Sequence, residues 1–133
     1  MLYLLDTDIC SYVIKPRSPA LLMRIEQARL DDIALSVITR SELLYGWRKK
    51  SGPPALHQAL LLIFSQFESL PWDDKAADMH ADLRNTLERR GTPIGGNDTM
   101  IAAHALALDA TLVTNNEKHF NQVPGLRIDN WTR

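Results

Sequence analysis

The sequence predicts an α/β protein built on a short parallel sheet of about four to five strands, with helices on both faces. Two observations predict this class. Short apolar segments of strand length recur along the chain, and helical patterns with capping residues stand between them. Strands that alternate with helices form βαβ crossovers, and these crossovers join parallel strands. The chain has 133 residues, so we expect residues 1–133 to fold as a single domain.

The first predicted strand covers residues 2–5 and stops abruptly at Asp6. An apolar run that ends in an acid is typical of a buried strand that leads into a turn. Ser18 and Pro19 then form an N-cap and first-turn pair, and the apolar face of the helix that follows continues to Ala28. These residues predict a strand followed by helical structure.

The second predicted strand covers residues 33–37. Thr39, with Glu42 three residues later, has the signature of a capping box, which predicts that a helix opens at Thr39. After the break at residues 51–54, apolar residues repeat with helical spacing from residue 56 to Phe67. This repeat is the strongest helical pattern in the chain.

The second half of the chain predicts two more helices and two more strands. Residues 70–72 predict an irregular join, and Asp73 or Asp74 then caps a helix that ends near Arg90. The glycines before Asp98 predict a turn, after which Asp98 opens a helix. The last predicted strands cover residues 111–114 and 126–128.

Composition and charge exclude several classes of protein. Hydrophobic residues make up 45% of the chain and charged residues 23%, which excludes a disordered, collagen-like or coiled-coil chain. No apolar run reaches the roughly 18 residues of a membrane span, and Asp6 comes too early for a signal peptide. The single cysteine, Cys10, excludes an intrachain disulfide and suits a reducing compartment, so we expect a cytoplasmic protein without membrane contact. With a net charge of −1, any polyanion must be held locally.

Three acids follow the predicted strands or turns at comparable places. Asp6 follows the first strand, Glu42 lies in the first turn of the helix after the second strand, and Asp98 opens the helix after the glycine-rich turn. We expect all three at the same end of the sheet, where open α/β sheets bind ligands. Clustered carboxylates repel one another unless a cation lies between them. Oxygen ligands without a His or Cys pattern favour Mg²⁺ or Mn²⁺, which can activate water for phosphodiester cleavage.

Each acid also has a purely structural interpretation. Asp6 can be the N-cap of the next helix, Glu42 the partner of Thr39 in a capping box, and Asp98 a favourable charge at a helix N-terminus. The coincidence of three acids at one sheet edge favours the metal site. Other chemistries lack their motifs, and His104 and Cys10 are predicted as packed residues.

Four segments of the chain together resemble a known family. They are LLDTDICSYVIK, SVITRSELLYGWRK, GTPIGGNDTMIAAHALALDATLVTNNEKHF and VPGLRIDNW. In this order, and from end to end of the chain, they resemble the PIN-domain ribonuclease toxins of bacterial type II toxin–antitoxin systems, the VapC family. The resemblance implies a PIN-like fold for the predicted sheet and helices.

The resemblance implies an endoribonuclease that depends on Mg²⁺ or Mn²⁺ and cuts structured RNA, commonly a tRNA or an rRNA loop, to arrest translation. Asp6, Glu42 and Asp98 match acidic positions that hold the metal and, through it, activate water. Thr7 matches a hydroxyl residue that orients the first aspartate. The implied partners are a VapB-type antitoxin, whose tail enters the active-site groove, and a second copy of the chain in a homodimer.

The sequence departs from the family pattern at two places. Asp8 stands where asparagine is frequent, and Asn116 occupies the expected fourth acidic position, with Glu117 and His119 close behind. We therefore expect one ion, held chiefly by Asp6 and Asp98, with Glu42 binding directly or through water. Asn116 is expected to position water or a phosphate. Phosphate contacts are expected from basic side chains at the rim of the cleft: Arg40, Arg48, Lys49, Arg84 and Arg89.

Two other functions stay open at this stage. Asp6-Thr7-Asp8 has the Asp-x-Asp pattern of haloacid-dehalogenase phosphatases, in which the first aspartate is a nucleophile. Alternatively, the chain is a non-catalytic module that binds RNA or a protein. Three intact acids argue against a pure binder of polyanions, because a negative cleft repels such a ligand.

Overall fold

The computed structural model describes residues 1–15 and 17–133. Within these residues, one sheet of five strands forms the centre of the molecule. The strands are β1 (Tyr3–Leu5), β2 (Ile33–Ser36), β3 (Glu68–Leu70), β4 (Thr111–Val113) and β5 (Arg127–Asp129). Their order across the sheet is β3-β2-β1-β4-β5, and every neighbouring pair is parallel. The predicted α/β class and parallel sheet are therefore confirmed.

Helices connect the strands. They are α1 (Thr7–Ile14), α2 (Pro19–Gln27), α3 (Val37–Lys49), α4 (Pro54–Gln66), α5 (Asp74–Arg89), α6 (Gly96–Ala107) and the short α7 (Glu117–Phe120). The predicted caps of α2 and α5 are confirmed, because Ser18 accepts a hydrogen bond from Leu21 N–H and Asp73 accepts one from Ala76 N–H. In the described part of the chain, none of the helices has the length and apolar character needed to cross a membrane.

Two apolar cores lie on opposite faces of the sheet. Leu4, Ala34 and Leu112 point to one face and pack with α5 and α6. Leu5, Leu35 and Val113 point to the other face, where α1, α2 and α4 cover them. This alternation follows from the two-residue period of a strand. Because both faces are covered, the carboxyl edge of the sheet is the place where polar side chains can gather.

The start of α3 differs from its prediction. Ser36, the last residue of β2, is the N-cap, and its Oγ accepts a hydrogen bond from Ile38 N–H at 3.1 Å. Thr39 lies inside the helix and is completely buried, so the capping box of Thr39 and Glu42 is wrong. Glu42 falls in the second turn of α3 rather than the first, and its side chain is free for contacts with other elements.

Smaller differences concern short elements. β3 and α7 have no counterpart in the sequence prediction, β2 ends at Ser36 instead of Val37, and β5 begins and ends one residue later than expected. The helix predicted to open at Asp98 begins two residues earlier, at Gly96, after Gly95 with φ of 101°. Asp98 is therefore in the first turn of α6.

Candidate active site

Asp6 is held rigidly at the carboxyl end of the central strand. It follows β1, caps α1, and is 4% exposed. Its Oδ1 accepts a hydrogen bond from Ile9 N–H at 2.8 Å, and its Oδ2 accepts one from the hydroxyl of Thr114, the residue after β4. The Asp6 backbone N–H donates to the Val113 carbonyl at 3.0 Å. Asp6 is thus both a helix cap and a fixed carboxylate between two strands.

Glu42 is tied to two neighbouring helices. Its Oε1 accepts a hydrogen bond from the Thr7 hydroxyl at 2.7 Å, and its Oε2 accepts one from Asn97 Nδ2 at 3.0 Å. Thr7 opens α1 beside Asp6, and Asn97 precedes Asp98 in α6. These bonds bring Glu42 to the edge of the sheet that carries the two aspartates, as the sequence predicted.

Asp98 faces the short helix after β4. Its Oδ2 lies 3.4 Å from Nδ1 of His119 in α7. Both side chains are only partly covered, with exposed fractions of 33% for Asp98 and 51% for His119. His119 therefore contacts one of the predicted metal ligands.

The carboxylates influence one another through space. Burial raises the pKa of Asp6 to about 7, and the charges of Asp8 and Asp98 add to this increase against the opposing hydrogen bonds. Burial also raises the pKa of Asp98, with contributions from the charges of Glu42 and Asp8, while His119 acts to lower it. The three predicted acids and Asp8 therefore form one electrostatic cluster.

The cluster suits a hard divalent cation by its chemistry. All its donors are carboxylate oxygens, and the raised pKa values of Asp6 and Asp98 show that ionising them together is unfavourable without a positive charge nearby. As the side chains stand, no three His, Cys, Asp or Glu residues among positions 1–15 and 17–133 are grouped closely enough to hold an ion. Holding an ion between these acids therefore requires their side chains to move closer together.

The predicted positioning residues lie at different distances from this cluster. Thr7 contacts Glu42 directly, and Asn116 directly precedes α7, where its backbone N–H donates to Thr114 Oγ1 at 2.9 Å. Arg40 places its guanidinium 4.3 Å from the centre of the Phe64 ring, on the side of α3 that faces α4. Arg84 forms a 3.0 Å ion pair with Glu88 and lines a separate cavity beside Gly95 and Gly96.

Sequence reasoning missed Asn97, Thr114 and one groove. Asn97 directly precedes a predicted acid, and Thr114 is the last residue of a predicted strand, and these positions were the available signal. The groove, here called the α1–α3–α4 groove, begins at Thr7 and Glu42 and has an apolar floor with basic side chains at its rim. Leu43, Leu56 and Leu60 line its floor, and the exposed Lys15, Arg17 and Lys50 line its rim.

Comparisons with known proteins agree in fold and sequence. The family model described as "PIN domain" matches residues 3–126. Ribonuclease VapC2 from Rickettsia felis is 38% identical over 134 residues, which cover 100% of both chains. The tRNA(fMet)-specific endonuclease VapC from Salmonella typhimurium is 35% identical over 97% of both chains. The crystal structure of VapBC2 from Rickettsia felis bound to a DNA fragment from their promoter contains a chain with a TM-score of 0.91 and 37% identity, covering 98% of this chain and 99% of that one.

Proposed function

This chain belongs to the VapC ribonucleases of the PIN-domain family, and from that premise we propose that it is a metal-dependent endoribonuclease toxin that cuts structured RNA. The observation that carries the proposal is the meeting of Asp6, Glu42 and Asp98 at one edge of the sheet, where burial and mutual repulsion raise the pKa of both aspartates. Such a cluster is costly to keep ionised and gains most from a cation.

Asp6 and Asp98 are the proposed ligands of one Mg²⁺ or Mn²⁺ ion, with Glu42 binding directly or through water. When bound, the ion supplies activation of water and neutralisation of phosphate charge. Ile9 N–H and Thr114 fix the orientation of Asp6, while Thr7 and Asn97 hold Glu42. Asn116 positions water or a phosphate at the same edge.

The proposed substrate is a structured RNA, with a tRNA or an rRNA loop as the first candidates. Support for a tRNA comes from the Salmonella typhimurium relative, which is named for tRNA(fMet). Near the cluster, Lys15, Arg17 and Lys50 at the rim of the α1–α3–α4 groove offer positive charge for phosphates. These local cations compensate for the near-neutral charge of the whole chain.

The proposed partners are a VapB-type antitoxin and a second copy of the chain. Support for the antitoxin comes from the VapBC assembly in the Rickettsia felis structure. The α1–α3–α4 groove, with Leu43, Leu56 and Leu60 on its floor, suits an amphipathic segment whose end reaches Glu42. An antitoxin bound there would cover the same side chains that the RNA needs.

The test is cleavage of purified total tRNA and rRNA by the purified chain in Mg²⁺, Mn²⁺ or EDTA. We expect cleavage with either ion, none with EDTA, and none with Asp98→Asn. Asp78→Asn is the charge-matched control, because Asp78 is an exposed residue of α5, and it should cut like wild type. RNA that stays intact with wild type, or equal cleavage by Asp98→Asn, contradicts the proposal.

The phosphatase alternative loses support from the comparisons. The PIN domain model matches residues 3–126, and the relative from Rickettsia felis that is 38% identical over the whole chain is named a ribonuclease. The non-catalytic alternative is decided by the cleavage experiment.

A further inference from the structure

A buried histidine links the two helices that carry Glu42 and Asp98. His104 lies in α6 among buried alanines and is 1% exposed. Its Nδ1 is 2.8 Å from Oγ of Ser36, whose exposed fraction is 0%. His104 is thus packed, as the sequence predicts, but it also makes a polar contact to the end of β2 and the N-cap of α3.

The hydrogen bonds around Ser36 define the direction of this contact. Ser36 Oγ already accepts from Ile38 N–H at 3.1 Å, so its own hydroxyl proton is available to Nδ1 of a neutral ring. Burial lowers the pKa of His104, which favours the neutral form. Nε2 is buried without a hydrogen-bond partner among the described residues. The proton of the neutral ring therefore belongs on Nε2, and Ser36 donates to Nδ1.

The contact stands at equal sequence distance from both acids. Glu42 follows Ser36 by six residues in α3, and Asp98 precedes His104 by six residues in α6. At 1.5 Å per residue, each acid is about 9 Å along its helix from the contact. The Asn97–Glu42 hydrogen bond joins the two helices again at the acids. A change of angle at Ser36 and His104 therefore alters the separation of Glu42 and Asp98.

We propose that His104 is a positioning residue, which holds α3 against α6 through Ser36 and thereby sets the distance between Glu42 and Asp98. The role rests on the proposed function. The positioning role requires an atom at the place of Nδ1 that accepts a hydrogen bond from Ser36, and a side chain that only fills the space is not enough. Because a displacement of about 1 Å in a catalytic site can lower a rate roughly 100-fold, the loss of this contact should affect turnover more than substrate binding.

His104→Leu and His104→Asn separate positioning from packing. Leucine fills most of the space but has no acceptor, whereas asparagine carries an acceptor near the place of Nδ1 and leaves a cavity. We expect His104→Leu to lower kcat for RNA cleavage roughly 10- to 100-fold with KM unchanged. We expect His104→Asn to recover most of that kcat even though its Tm lies below that of wild type. If kcat falls in proportion to the loss of Tm in both variants, so that His104→Asn shows no recovery of kcat, the positioning role is overturned.

Ser36→Ala tests the same contact from the other side and keeps the test decisive if His104→Leu does not fold. It should lower kcat by at least a similar factor, because it removes the N-cap bond to Ile38 N–H as well as the contact to His104. The double variant should lose little more than Ser36→Ala alone, because both changes remove the contact between Ser36 and His104. Ile101→Ala is the control: Ile101 is a buried α6 residue outside this contact, so Tm falls while kcat, measured well below Tm, stays at the wild-type value. Wild-type turnover in either His104→Leu or Ser36→Ala overturns the role.

Failure of the inference and failure of the proposed function give different results. Wild type that leaves RNA intact in Mg²⁺ and Mn²⁺ overturns both. Cleavage by wild type together with full turnover by His104→Leu overturns the positioning role alone. Crystal structures of wild type and His104→Leu provide the second readout, in which we expect the Glu42–Asp98 separation to change; an unchanged separation also overturns the role.

Discussion

Glu42 shows how one side chain can satisfy two sequence interpretations, of which the structure excludes one. The spacing from Thr39 favoured a capping box, the position after the second strand favoured a metal ligand, and the sequence alone does not separate the two. Ser36 is the actual cap because β2 ends one residue earlier than its apolar run suggests. Glu42 then lies one turn further along α3, and its carboxylate is bound by Thr7 and Asn97.

Replacing Glu42 with Gln tests its role in the cluster. Gln keeps an oxygen that accepts from Thr7 but loses the acceptor for Asn97 Nδ2, which lies at an exposed position. The free energy of unfolding should therefore fall by no more than about 1 kcal/mol. Cleavage should fall roughly 10- to 100-fold, the usual effect of disturbing a group around a metal. Thermal melts and initial cleavage rates measure the two quantities. Glu88→Gln, at an exposed site paired with Arg84, is the control. A large loss of stability in Glu42→Gln would instead support a structural role.

The pKa of Asp6 predicts how stability varies with pH. Because the folded protein holds the Asp6 proton up to about pH 7, it binds more protons than the unfolded chain between pH 4 and 7, and stability falls as pH rises through this range. A pKa of about 7 against an ordinary value of 3.8 corresponds to at most about 4 kcal/mol. In EDTA, Asp6→Asn should be more stable than wild type at pH 8.

Melting curves of wild type and Asp6→Asn between pH 4.5 and 8 check this prediction. The difference in Tm between the two proteins should shrink towards low pH, where Asp6 of wild type is protonated. Mn²⁺ should raise the Tm of wild type at pH 8 but should not raise that of Asp6→Asn. A variant that is less stable than wild type at pH 8 in EDTA would refute the assigned cost of ionising Asp6.

Helices and strands were predictable from the sequence where capping residues and the spacing of apolar residues indicate the same element. α2 and α5 have good N-caps and clear apolar faces, and both were located to within a few residues. β3 was missed because its residues Glu68–Leu70 are at a sheet edge and only partly buried, so they have no apolar run. Phe67 also fits the period of α4, yet it ends that helix. β3 exists because β2 offers a free edge for pairing, which is information that only the assembled sheet contains.

Ser18 connects α2 to the end of the chain. Its Oγ accepts a hydrogen bond from Leu21 N–H and donates one to the Thr132 carbonyl, each at 3.2 Å. Ser18→Ala should therefore cost about 1 to 2 kcal/mol of unfolding free energy, while kcat stays at the wild-type value. Ser65→Ala, at an exposed site in α4, should cost less than about 0.5 kcal/mol. Denaturant titrations measure the free energy of unfolding of both variants. An equal loss in the two variants would contradict the role of Ser18 as a stabilising N-cap.

At the scale of the whole molecule, net charge says little about where RNA binds. The sum of −1 hides a groove whose rim is basic and whose end is acidic. Arg40 and Arg84 were predicted from sequence as phosphate contacts, but Arg40 stacks on Phe64 and Arg84 pairs with Glu88. Lys15 and Lys50 come from distant parts of the sequence and line one groove only in the fold, so no local pattern could pair them.

Salt dependence distinguishes these two sets of cations. The double variant Lys15→Ala, Lys50→Ala should raise KM for RNA and reduce the slope of log KM against log salt by roughly 1.5, because each phosphate contact contributes about 0.7 to 0.9. The double variant Arg40→Ala, Arg84→Ala removes the same charge and should change the slope little. Cleavage kinetics at several salt concentrations measure both slopes. A larger reduction of the slope in the Arg40→Ala, Arg84→Ala variant than in the Lys15→Ala, Lys50→Ala variant would favour Arg40 and Arg84 as the phosphate contacts, as the sequence predicts.

The central position of β1 has a consequence for how the protein is made. Asp6 leaves the ribosome early, yet its backbone N–H and one of its carboxylate oxygens find their partners in Val113 and Thr114. The growing polypeptide therefore lacks two of the contacts that fix Asp6 until β4 and Thr114 have been translated. On the proposed function, a nascent chain gains cleavage activity only after that point, late in its synthesis.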